Sequence, residues 1–187
     1  MTGTNFIGEL KVAALNAAKF EIEKIKETSK SKRESGWIMP DEADYKAEIY
    51  HLLRNKFGRK EALHLFLEST PYPVIRSKSG ERPDITFWDE KTETIYTVEI
   101  KWEEKSSTRK WKNRMLSLIL HDKKKLLSYR WRGKNLKHIL LFGFVDKYYK
   151  LQSYKPKYEE MFDMLCASLT EEFGGEIIDK TVFLSVF

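Results

Sequence analysis

DITFWDEKTETIYTVEIK, residues 84–101, decides how this chain is read. Two runs rich in Ile, Val, Thr and aromatic residues flank a polar turn, which is the pattern of a β-hairpin. With Glu90 to Glu93 as the loop, Asp89 faces Thr94, Trp88 faces Ile95, Phe87 faces Tyr96, Thr86 faces Thr97, Ile85 faces Val98 and Asp84 faces Glu99. Side chains alternate across a strand. One face therefore carries Asp84, Thr86, Thr97, Glu99 and Lys101, and the other Ile85, Phe87, Tyr96, Val98 and Ile100. Directly opposed residues have Cβ atoms about 5 Å apart, and like charges there are destabilising. Two facing carboxylates call for compensation, and a divalent cation supplies it: ligation by oxygen alone suits Mg²⁺ or Mn²⁺. Lys101, on the same face, is placed to orient a metal-bound water or to stabilise negative charge developing nearby.

Working outward, the spacing predicts helices before and after the hairpin. Residues 6–28 form an amphipathic helix with Phe6, Leu10, Leu15, Ile22 and Ile25 among its apolar positions. TSKSKRESG, 28–36, breaks the pattern. Pro40 and Asp41 open a second helix, roughly 41–57, ended by Gly58, and a shorter helical segment follows at about 59–68. Past Pro71 and Pro73, Val74 to Ser77 reads as a strand, giving three strands with the hairpin. A long basic helix is expected at about 107–131, a buried strand at 138–145, a helix at 156–173 and a last strand in TVFLSVF. The order implies an α/β fold, a mixed central sheet flanked by helices. Residues 1–40 are expected to form an extra N-terminal helix and linker on or beside the core, and 41–187 the main domain.

Pro83-Asp84, fourteen further residues, and Glu99-Ile100-Lys101 resemble the motif of the PD-(D/E)XK nuclease superfamily, the restriction-endonuclease-like fold. The resemblance spans about residues 41–146, where the family's αβββαβ core matches the predicted order. It implies metal-dependent hydrolysis of DNA phosphodiester bonds by a Mg²⁺ enzyme in which Mn²⁺ substitutes. Asp84, Glu99 and the carbonyl of Ile100 would bind the metal, with Lys101 beside the attacking water. Many members add an acid on the first core helix. The match here is Glu48, at the edge of the stripe Tyr45, Ile49, Leu52 and Leu53, with Glu42 as the alternative. Lys125 and Tyr129 stand at the spacing where some members place Gln and Tyr, so here Lys replaces Gln. The short chain favours a structure-selective or low-specificity endonuclease similar to compact Holliday-junction resolvases or small viral and mobile-element nucleases. Such enzymes act as symmetric dimers, so a homodimer is the matching expectation.

The charge map fits a polyanion partner. Residues 101–160 carry 17 Lys/Arg and 6 Asp/Glu, a balance of +11, while the rest is at −5. Arg109, Lys110, Lys112, Arg114, Lys123, Lys124 and Lys125 are the candidate phosphate contacts, because cations displace the counterions condensed on nucleic acid. A solvated lysine-rich surface is the competing reading. Trp102 and Trp111 are read either as base-stacking groups or as core. The four histidines show no metal spacing with one another, and Cys166, the single cysteine, reads as a small buried hydrophobe. With no secretory signal, no apolar stretch near the roughly 18 residues that span a bilayer and no disulfide, a cytoplasmic, reducing location without membrane is expected. Two rivals remain: a non-catalytic nucleic-acid-binding module on the same fold, and a protein-interaction role centred on the helix at 6–28.

Overall fold

In the computed structural model the hairpin is built from β3 (Ile85–Asp89) and β4 (Thr94–Glu104), antiparallel, with Ile85 opposite Val98 and Asp89 opposite Thr94. This is the register that the alternation dictates. The structure describes residues 3–31, 41–57, 64–68, 74–75, 82–105, 108–131, 135–145 and 151–187. Around the hairpin stand α1 (Gly3–Ser31), α2 (Glu42–Lys56), β1 (Leu65–Leu67), β2 (Val74–Ile75), α3 (Arg109–Ser128), β5 (Arg130–Trp131), β6 (Asn135–Val145), α4 (Leu151–Phe173), β7 (Glu176–Ile178) and β8 (Val182–Val186). Among the described residues these are four helices and a six-stranded mixed sheet in the order β1-β3-β4-β6-β8-β7, with β2 and β5 paired apart from it. Among the described residues only the β4–β6 pairing is parallel, and α3 makes the crossover that such a pairing needs.

Alternation sorts the core into two layers. Ile85, Phe87, Tyr96, Val98 and Ile100 of the hairpin, Ile139, Leu141 and Val145 of β6, and Val182 and Leu184 of β8 pack under α1 and α2. Leu140, Phe142, Phe144 and Phe183 face the other way, toward α3 and α4. With both faces covered, β6 reads as the continuous apolar run its sequence shows. The helix α1 belongs to the first layer: Phe6 stacks on Phe87 with ring centroids 4.5 Å apart, and Ala13, Ala14, Ala17 and Ala18 are buried beside α2, where the Tyr45 hydroxyl donates to the Ala14 carbonyl. Trp102 lies against Tyr45 and opposite Gly143 on β6, and a Cβ at Gly143 would meet the indole at 2.3 Å.

Several expectations change. Residues 65–67 are strand rather than helix: Leu65 pairs with Phe87, so β1 is the third strand of the hairpin's sheet. LHLFL alternates with period two as readily as it fits a helix, and the open edge of β3 decides between them. Val74–Ile75 leaves that sheet to pair with β5, which also takes Arg130 and Trp131 from the expected end of the basic helix. The helix expected from 156 begins at Leu151. The expected break at 28–36 is helix over 28–31, where α1 continues to Ser31, while its remainder at 32–36, Gly58, residues 59–63 of the expected short helix and residues 76–77 lie outside the described residues.

Candidate functional site

β4 outruns its partner. Beyond Val98 it has β6 on one side only, and on the other Asp84, just before β3, takes the place of a strand. Pro83 fits this position because no ladder donor is needed at a strand's start. The Asp84 Oδ2 accepts the Ile100 N–H at 2.7 Å, and its backbone carbonyl accepts the Glu68 N–H. A strand residue points its N–H and C=O to the same side, so the Ile100 carbonyl also faces this edge.

Two helices close on the gap. The α2 helix starts at the cap Asp41, whose side chain accepts the Asp44 N–H, and its first turns present Glu42 and Lys46. The α3 helix, capped by Thr108, presents Asp122 and Lys125 from the other face. The result is one chain of alternating charge. The Lys46 Nζ lies 2.7 Å from Asp84 Oδ1 and 2.7 Å from Glu42 Oε1. The Lys101 Nζ lies 3.2 Å from the same Glu42 oxygen and 3.9 Å from Glu99 Oε1, which Lys125 reaches at 2.7 Å. A cleft of ≈ 490 Å³ opens beside it, lined by Asp41, Glu42, Lys46, Leu67 and Glu68 among others.

The electrostatics are those of a desolvated cluster. Glu99 is 2 % exposed, and burial, then the neighbouring Asp84 charge, push its carboxyl up to about 7 against the pull of Lys125. Burial likewise raises Asp122, 4 % exposed, against Lys101 and Lys125. For Lys101, burial works against the ammonium, but Asp122, Glu42 and Glu99 outweigh it and hold its pKa above the ordinary lysine value. Among the described residues, the buried carboxylate oxygens Glu99 Oε2 and Asp122 Oδ2 have no hydrogen-bond partner. An uncompensated oxygen of this kind is costly.

The structure thus gathers Asp84, Glu99, Ile100 and Lys101, with Lys125 drawn in as the partner of Glu99. Glu48 is not among them. At about 100° per residue it lies about 120° around α2 from Glu42, and its charge acts on Glu21 of α1. Glu42, the alternative acid, holds the place instead. Of the candidate phosphate contacts, Arg114 pairs with Glu103, Lys125 with Glu99, and Lys123 lies over the rings of Phe173 and Phe187. Arg109, Lys110 and Lys124 are exposed and Lys112 half-buried. Trp102 and Trp111 are core residues. His138 is buried, its Nδ1 2.7 Å from the Thr97 hydroxyl, and burial lowers its pKa to about 4.

Sequence reading passed over Lys46 and Asp122, though a signal was present. Glu42, Lys46, Ile49 and Leu53 share one stripe of α2, and Met115, Ile119, Asp122 and Leu126 share the buried stripe of α3. A charge on an apolar stripe is the mark of a buried polar site.

The donor set suits a hard divalent cation: two carboxylates, one of them with the unpartnered Glu99 Oε2, and a main-chain carbonyl. Among the described residues no three His, Cys, Asp or Glu side chains group closely enough to hold a metal by themselves. A cation here would rest on the two acids and keep several waters, as Mg²⁺ does. No helix among the described residues is long and apolar enough to cross a membrane. No family model, no curated protein and no solved structure matches the chain.

Proposed function

We propose that this protein is a metal-dependent nuclease that hydrolyses DNA phosphodiester bonds. The observation that carries the reading is the closeness of Asp84 to Glu99, whose carboxyl feels the Asp84 charge, at the open end of the hairpin, with Lys101 beside them and one Glu99 oxygen buried without a hydrogen-bond partner among the described residues. The order α2, β1, β3, β4, α3, β6 supports assigning the αβββαβ core of the restriction-endonuclease-like fold.

Asp84, Glu99 and the Ile100 carbonyl would hold Mg²⁺ or Mn²⁺. Bound there, the ion supplies Lewis-acid polarisation of the phosphate and a lower pKa for a coordinated water. Asp84 is fixed for this task by the Ile100 N–H, so its orientation is set before any ligand arrives. Glu42 steers the Lys101 ammonium. The acids around Lys101 keep it protonated, so it acts as a fixed positive charge toward the scissile phosphate rather than as a proton acceptor. The exposed cations of α3 would track the backbone. Cutting both strands of a duplex with one such site per chain calls for two copies, hence a homodimer.

Supercoiled plasmid, linear duplex and a four-way junction incubated with Mg²⁺, Mn²⁺ or EDTA test the reading. Metal-dependent cutting is expected from the wild type. Lys101→Ala should lose about 10²–10³-fold, the scale for removing one preorganised charge stabiliser, and Asp84→Asn at least as much. Undiminished cutting by Asp84→Asn would sink the assignment. The second reading is a binding module without catalysis, favoured by one observation: Lys46 and Lys125 already neutralise the two acids. It predicts salt-sensitive DNA binding and no cleavage in any metal.

A further inference from the structure

Lys46 has no part in the chemistry above, yet it makes the closest ion pair that Asp84 has. Its ammonium lies 2.7 Å from Asp84 Oδ1, while Oδ2 is taken by the Ile100 N–H at 2.7 Å. The oxygen available to a cation on Asp84 is therefore the one Lys46 holds, and an ammonium and a divalent ion repel each other at such range.

We propose that Lys46 competes with the cation for Asp84, and that once displaced its ammonium turns to the phosphodiester, so that metal and nucleic acid load together. The inference rests on the reading of the hairpin end as a cation site. Three features support it. Lys46 has a second anchor in Glu42 Oε1 at 2.7 Å, so leaving Asp84 is a pivot rather than an expulsion. The cleft lined by Lys46, Glu42 and Leu67 gives the side chain room beside the site. The charges also favour exchange. Counted with every group ionised, as a bound cation would hold them, Glu42, Asp84, Glu99 and Asp122 against Lys46, Lys101 and Lys125 is four negative and three positive, a balance of −1. A divalent ion takes the cluster to +1, and one phosphodiester returns it to neutral. A ligand that frees an ammonium and another that receives it must raise each other's affinity by the same factor.

The test titrates Mn²⁺ into the full chain and follows the free ion by its electron paramagnetic resonance signal. Wild type, Lys46→Met, Lys46→Arg and Asp84→Asn are compared with and without a phosphorothioate duplex. Without DNA, Lys46→Met should bind Mn²⁺ about fivefold or more tighter than wild type, and Lys46→Arg, which keeps the charge, should stay close to wild type. The duplex should tighten Mn²⁺ binding to wild type by about fivefold or more and leave Lys46→Met little changed. Lys46→Met binding the ion no tighter than wild type overturns the competition, leaving the nuclease reading intact. An absence of any tightening by DNA in the wild type overturns the coupling, and this arm needs no folded variant. Mn²⁺ binding too weak to detect in wild type, or unaltered in Asp84→Asn, removes the cation site and the proposal with it.

Discussion

Glu99 contributes a pH response of its own. Its carboxyl titrates near 7 in the folded protein because burial and Asp84 oppose its charge, against an ordinary value of 4.5. Between those values the folded chain holds a proton that the unfolded chain has released. Stability therefore falls as pH rises from about 4.5 to 7, and the term is flat above. Asp122, raised by burial, acts in the same direction. His138, whose pKa burial lowers to about 4, acts in the opposite direction over much of this range, so thermal unfolding followed in EDTA across pH 4.5 to 8 should show wild-type stability falling with pH relative to Glu99→Gln. Equal slopes in variant and wild type would show that Glu99 is ionised throughout. At this scale the sequence was legible where alternation governs: the register from Ile85 opposite Val98 to Asp89 opposite Thr94 follows from strand period alone. Lys46 and Asp122 were not read out, because a charge on a helix stripe is ambiguous until the element covering it is known.

Elements show how little freedom the packing leaves. On β6, Gly143 sits under Trp102, and an added methyl would overlap the indole at 2.3 Å and Tyr45 at 2.8 Å. All three groups are held in the core between α2 and the sheet, so Gly143→Ala should cost about 1–3 kcal/mol by overpacking, measurable by urea denaturation. Removing Phe6, which stacks on Phe87 and also touches Phe57 and Tyr96, should cost about 3–5 kcal/mol. A Phe6→Ala protein of unchanged stability would mean that α1 is an appendage. The long helices and the hairpin were legible because their apolar periods are sustained over many residues. β1 and β5 were not, since two or three residues carry no period of their own and take their form from the strand they join.

The whole molecule is electrically lopsided, with +11 in residues 101–160 and −5 elsewhere. The fold spends part of that excess internally, on Glu99, Glu103 and the rings of Phe173 and Phe187, and leaves Arg109, Lys110 and Lys124 on the surface. For duplex binding measured by fluorescence anisotropy in EDTA at a series of salt concentrations, Arg109→Ala and Lys110→Ala should each lower the slope of log K against log salt by about one. Lys123→Ala should leave that slope unaltered. The reverse ranking would place the DNA on another face. The basic excess is legible in composition, but which cations reach the surface depends on the acids and rings that the fold sets beside them. The gathering of the site from α2, β4 and α3 has a further consequence, in time rather than in space. As the chain is synthesised, Glu42 and Lys46 emerge long before Asp122 and Lys125, and β4 gains its parallel neighbour only after β6 has followed. A half-made chain that ends before α3 lacks Asp122 and Lys125, so whatever chemistry the cluster performs waits until that helix and β6 have joined it.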